Sequence, residues 1–371
     1  MKVFSLTLAC TAAALVLVGG AAAWHTSSVR HVSPKGHDTG SCQKKPCRTI
    51  GYAVGQANPG DTIDVDHGTY AESVLVTNRL SLTGHHATID AAGHDNGVVI
   101  SGDGAAGTRL SGFTVANADL EGVLAVQTSH LKISDNKIVH NDQLWDPNNI
   151  PEPCQSSDDC GEALHLLSVT HSKVTGNLVA DNVGGILLTD EAGPTSHILI
   201  ADNRVLDNDK DCGITLASHA FNPIAITDPS VGGVYDNVVV HNTSNGNGAA
   251  GIGVFAGPPG ASAFGNLVVG NRASGNGLPG VAIHDHVPPA NASGNAVIAN
   301  VLSHNGPDDD ANTIQPTGLT VFGGAGPIAK TIVGGNWISH EYYGIFTVSA
   351  VSLPGLGSNH FFDVTVPISQ N

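Results

Sequence analysis

From Gly122 onward the chain sets short runs of alternating apolar residues between Gly, Asp and Asn. Gly122-Val123-Leu124-Ala125-Val126, Gly185-Ile186-Leu187-Leu188, Gly251-Ile252-Gly253-Val254, Gly280-Val281-Ala282-Ile283 and Gly318-Leu319-Thr320-Val321 each open such a run. Downstream of each comes Asp or Gly, then Asn, one further residue and an apolar residue, as in Asp135-Asn136-Lys137-Ile138 and Gly335-Asn336-Trp337-Ile338. A period of two marks strands. A strand-turn-strand unit this short cannot bury its own apolar face, so the copies must stack on one another. The pattern therefore predicts an all-β solenoid whose core runs along its length.

The Asn residues suggest where each coil turns. Asn136, Asn177, Asn203, Asn237, Asn266, Asn295, Asn336 and Asn359 are expected at one turn, and Asn141, Asn182, Asn208, Asn242, Asn271 and Asn300 at another. Each would tolerate a left-handed backbone and bond to the Asn one coil away. Upstream, Thr49 opens a stretch in which Ile50, Ala53, Val54 and Ala57 recur at helical spacing, closed by Asn58-Pro59-Gly60. This predicts an amphipathic helix capping the N-terminal end of the solenoid.

The next segment carries a family resemblance. Pro59-Gly60-Asp61-Thr62-Ile63-Asp64-Val65, Gly68-Thr69-Tyr70, Glu72, Leu80-Ser81-Leu82-Thr83-Gly84 and Thr88-Ile89-Asp90 resemble the opening of secreted right-handed parallel β-helix proteins of the pectate-lyase-like superfamily. The resemblance implies one right-handed parallel β-helix domain over residues 49–371, behind a polar lead-in at 24–48. It does not imply one reaction, because that superfamily includes lyases, hydrolases, epimerases and tailspikes. The Asn-Thr-Asp, Asp-Asp and Gly-His-Gly set of polygalacturonases is missing here. So are the Asp-Pro-His-Asp phrase of alginate epimerases and the Arg-bearing phrase of pectate lyases, and no residue role carries over.

Composition narrows the partners. Lys2, the apolar run Val3–Val18 and the small residues up to Ala23 read as a signal peptide over 1–23, predicting secretion. Asp and Glu number 32 against 15 Lys and Arg, a formal charge of −17. Such a surface disfavours nucleic acid and anionic membranes, and no later run is long enough to span a bilayer. A monomer acting on polysaccharide is expected. Cys42 with Cys47 and Cys154 with Cys160 are sequence-near pairs suited to disulfides in an oxidising compartment. Cys212 is left over as a buried small hydrophobe.

Candidate chemistry lies where coils depart from the repeat. With Ile186, Leu188, Ile214, Leu216, Val281 and Ile283 pointing inward, Thr189, Ala217, Phe255, His284, Phe322 and Val348 form one outward column. Glu191, His219, Gly257, His286, Gly324 and Ala350 form the next. Asp190, Glu191, Asp211 and His219 are the expected catalytic group. His284, Asp285, His286, Phe255, Phe322, Glu162 and His165 are the expected substrate-binding residues, the last of the acids, Glu162, and His165 having a register that one residue of slip would reverse. Paired carboxyls on adjacent coils suit glycoside hydrolysis, which is the expected activity. The alternatives are a non-catalytic glycan- or protein-binding β-helix and a metal-dependent polysaccharide lyase. Zinc or copper would use the imidazoles, and Ca2+ is an admissible cofactor for Asp190, Asp211 and Asp285. Inserted loops at Gln143–Cys160, Phe221–Gly232 and Gly306–Pro316 would wall the cleft.

Overall fold

A computed structural model describes residues 27–144, 162–219, 228 and 230–371. It shows the all-β parallel solenoid, a right-handed β-helix. The coils carry three main series of short strands, with a brief fourth at Thr195–Ser196, Val234–Tyr235 and Ala263–Phe264. One series, which faces the groove described below, includes Val123–Val126, Glu162–Leu167, Gly184–Thr189, Ile214–Ser218, Ile252–Ala256, Val281–Asp285 and Thr317–Gly323. A second includes Lys173–Thr175, Leu199–Ala201, Val238–Val240, Leu267–Val269 and Ala296–Ile298, and a third Leu178–Ala180, Arg204–Leu206, Thr243–Asn245, Arg272–Ser274 and Val301–Ser303. Every strand pairs in parallel with its counterpart one coil away, for example Ile252 with Val281 and Val281 with Leu319. The inward residues form one apolar cluster that extends from Val32 to Ile345.

The corners explain why Asn recurs. Asn136, Asn177, Asn203, Asn242, Asn271, Asn300, Asn336 and Asn359 form one buried ladder. Asn141, Asn182, Asn208, Asn247, Asn276 and Asn305 form a second, which ends on Glu341. Asn237, Asn266 and Asn295 form a third, at the remaining corner. This corrects the two series expected from spacing. Asn237, Asn266 and Asn295 leave the first series, and Asn242, Asn271 and Asn300 join it. The reason is geometric: in three successive coils the chain turns a corner at three Asn residues, as at Asn237, Asn242 and Asn247, and counting residues cannot say which belongs to which ladder. The left-handed residue is also the one before the Asn, as at Asp202 (φ 57°), His241 (φ 56°) and Gly270 (φ 65°). Asp, His and Gly there are residues that tolerate that backbone.

The predicted N-terminal helix is present only as the short Ile50–Gly55 turn of helix, with Ile50 and Ala53 buried and Thr49 as its N-cap. No long capping helix forms, because Asn58-Pro59-Gly60 and the strand at Thr62 follow almost at once. Glu72 accepts the backbone N–H groups of Ile50 and Gly51. Cys42 and Cys47 form a disulfide; Cys154 and Cys160 lie outside the described residues, as does the 1–23 leader. Cys212 is a buried free thiol. Among the described residues no helix is long and apolar enough to cross a membrane.

Two outcomes test the ladders. Asn242 accepts both the backbone N–H and the amide of Asn203, and donates to Ile200 O and Asn271 Oδ1. Asn242→Leu orphans these buried groups at roughly 1–3 kcal/mol each, so denaturant unfolding is expected to register a loss of several kcal/mol, and a loss within error would refute the role. Glu341 caps its ladder with one carboxyl oxygen, and burial pushes its pKa from 4.5 up to about 7. Between those values the folded chain holds a proton that the unfolded chain has released, so stability from this group falls as pH rises through the window and is level above it. Glu341→Gln is expected to flatten that fall; an unchanged slope of unfolding free energy against pH would contradict it.

Candidate functional site

A groove enclosing about 1250 Å³ runs along the first strand series. Its floor is the outward column. Ala217 pairs with Phe255, Phe255 with His284, His284 with Phe322 and Phe322 with Val348, in the register the repeat implies. Leu124, His165 and Leu187 pair across neighbouring coils in the adjacent outward column. Chain segments entering the strands form one wall, where Glu121 and Asp211 sit; segments leaving them form the other, with Glu191, His219 and His286.

At one end of the groove a hydrogen-bonded line crosses coils. His165 is buried, with Nε2 2.8 Å from the Thr189 hydroxyl and Nδ1 3.5 Å from Glu121 Oε1. The Thr189 hydroxyl and His219 both bond to Glu191, and His219 Nδ1 is 3.1 Å from Glu191 Oε1. Burial raises the Glu191 pKa, but these bonds outweigh it and hold the carboxyl below its ordinary value. Glu191 is therefore a carboxylate, and it fixes His219 with Nδ1 as the donor nitrogen. Beside Glu121, burial and the Glu121 charge push buried Asp142 up to about 7.

Asp190 and Glu191 are neighbours with opposite surroundings. Asp190 is buried and accepts hydrogen bonds from Ser218 Oγ at 2.9 Å, from His219 N at 2.8 Å and from Gly233 N. Its carboxylate ties together three segments that turn away from the groove strands. Asp211 is half-buried and accepts from Cys212 N. Asp285 is buried and accepts from Ala325 N at 2.8 Å; burial raises its pKa. Glu162 is buried against Gly184. Neither Asp285 nor Glu162 lines the groove, whereas His165 faces it.

Further along, four rings and two acids gather. The His284 and His286 rings lie between Phe255 and Phe322, with centroids 5.3 to 6.4 Å from the two phenyl rings. Buried His284 places Nε2 2.9 Å from Asp308 and Nδ1 3.4 Å from Asp310. Burial alone would lower the His284 pKa, but the two carboxylates lift it to about 9. The bonds to His284 and His286 hold Asp310 well below the usual carboxylate range. One ligand atom each from His284, His286 and Asp310 lies within 4.8 Å of the others, a cluster able to hold a divalent cation such as Ca2+. Asp308 and Asp310 were not among the residues singled out from sequence. The signal was there: both belong to the 306–316 insertion, where three consecutive Asp residues stand in a wall-forming loop.

The fold has counterparts among solved structures. The Azotobacter vinelandii mannuronan C-5 epimerase AlgE4 A-module is 14% identical with a TM-score of 0.57, over 86% of this chain and 92% of that one. The catalytic domain of a GH87 alpha-1,3-glucanase is 12% identical with a TM-score of 0.55, over 92% of this chain and 58% of that one. DFA-IIIase from Arthrobacter chlorophenolicus A6 is 13% identical with a TM-score of 0.51, over 93% and 86%. At these identities the likeness is one of fold. No curated protein matches the chain. The family model described as the right handed beta helix region matches residues 72–275, more than half of the chain, and the protein belongs to that family.

Proposed function

We propose that the protein is a carbohydrate-active enzyme that lays a polysaccharide along the groove and cleaves it by metal-assisted β-elimination. The leader-like 1–23 segment supports action outside the cell. One observation carries the reading: among the described groove-lining residues there is no Lys or Arg, yet a cation-holding cluster sits between two phenyl rings. A uronate substrate needs its carboxylate neutralised before the neighbouring carbon can lose a proton, and a bound cation supplies that charge. Phe255 and Phe322 offer faces for sugar rings. Glu191, held ionised, orients His219 with Nδ1 toward itself, which leaves Nε2 as the basic nitrogen. His219 takes the proton from the carbon beside the carboxylate, and the electron pair of that C–H bond becomes the new C=C bond. The glycosidic C–O bond breaks with its pair leaving on the oxygen, which takes up a proton from water. His219 and His286 stand two coils apart, about 10 Å at the spacing of stacked strands. Asp190 is a positioning residue, holding the backbone of His219 in place.

A second reading, hydrolysis, is served by Glu191, an ionised carboxylate on the groove lining that suits a general base.

The purified protein, incubated with uronate-containing and neutral polysaccharides, is expected to generate ultraviolet-absorbing unsaturated ends that disappear with EDTA. New reducing ends without that absorbance, insensitive to EDTA, would replace the elimination reading with hydrolysis. Absence of product from every polymer would leave a binding protein and sink both. His219→Ala and Glu191→Gln are expected to lower turnover by about 10²–10⁴-fold with little change in unfolding. Asp190→Ala, which strands buried N–H donors at about 1–3 kcal/mol each, is expected to cost several kcal/mol in stability; equal stability of Asp190→Ala and wild type would remove its positioning role.

A further inference from the structure

We infer that His284, His286 and Asp310 form a three-ligand site for a first-row transition metal of the zinc class, with an open coordination position on the groove. The inference rests on reading this cluster as the cation site and specifies its chemistry. His284 Nδ1, His286 Nε2 and Asp310 Oδ2 form a triangle with three equal edges of 3.4 Å. Charge-assisted hydrogen bonds are shorter, about 2.7–2.9 Å, as the His284–Asp308 contact at 2.9 Å is. The edges of the triangle are thus long for charge-assisted hydrogen bonds. Four ligands arranged tetrahedrally at about 2.1 Å from a metal stand about 3.4 Å from one another.

The same edge would fit ligands at right angles around a larger ion at about 2.4 Å, so the donor set decides. Ca2+ takes six to eight oxygens in sites of this kind. Here two of the three donors are imidazole nitrogens, which suit zinc, copper or nickel. The surroundings are those of a metal-bound histidine. His284 gives its Nε2–H to Asp308, which directs Nδ1 at the triangle. Asp308 is itself buried, accepting from Ala311 N and donating its backbone N–H to the Thr313 hydroxyl. His284 is thus locked by a carboxylate that is locked in turn. His286 is about one-third exposed and Asp310 more than half, so the remaining position opens to the groove, within reach of water or a substrate oxygen.

Titration of the EDTA-stripped, dialysed protein with Co2+ tests this without any substrate. One equivalent is expected to bind with the intense visible absorption of tetrahedral Co2+, to be displaced by Zn2+ and to resist excess Ca2+. His286→Ala and Asp310→Ala, both at positions open to solvent, are expected to weaken binding by at least about 100-fold, and Asp308→Asn by about 10–100-fold. His171→Ala controls for the exposed stack of His130, His171 and His197 and is expected to leave binding unchanged. Displacement of Co2+ by Ca2+, or full binding by His286→Ala and Asp310→Ala, would overturn the assignment. Calcium-dependent cleavage alongside such a result would leave the proposed function standing and refute this site alone.

Discussion

Every coil of this protein must turn three corners inside its own stack, and the backbone groups at those corners are buried where water cannot reach them. The Asn ladders meet that constraint. At a typical step one side-chain oxygen accepts both the backbone N–H and the amide of the Asn one coil back, while the amide also donates to a strand carbonyl, as Asn177 does to Asn203 and Ile133 O. A buried polar network of this kind stabilises when complete and destabilises when any member is missing. Where a ladder ends, the terminal residue inherits the problem: Glu341 satisfies Asn305 with one oxygen while its other is buried without a partner, and its carboxyl is pushed toward the neutral form.

A stack fixed at its corners gives the groove a rigid floor. Outward side chains on successive coils are held about 4.8 Å apart, so residues distant in sequence become neighbours without any loop having to place them. Glu121, His165, Thr189, Glu191 and His219 come from four successive coils and form one connected line. The groove is acidic, and its imidazoles are held by carboxylates. Such a surface recruits a cation before it recruits an anionic polymer.

Much of this was legible in the chain. The Gly-led apolar runs identified the strands, and a period of two placed Ala217, Phe255, His284 and Phe322 in one outward column, which the strand register reproduces. Asp190 and Glu191 show the limit. They are adjacent at the end of a strand, where the alternation lapses, and only the packed turn reveals that one carboxylate is buried under Gly233 and Ser218 while the other reaches His219. The corner ladders show a second limit, because coils with an Asn at all three corners make the spacing degenerate.

The sequence by itself determined the architecture, because alternation and repetition are local properties that dictate which face is apolar and how copies stack. Only the tertiary structure decided which polar groups meet. Contacts such as His284 with Asp308 and Asp310 join a strand to a loop inserted in the next coil, and the path of an insertion follows from packing against its neighbours, which no periodicity encodes. The alternating pattern located the wall on which chemistry was expected, and the fold of one inserted loop determined which residues on it converge.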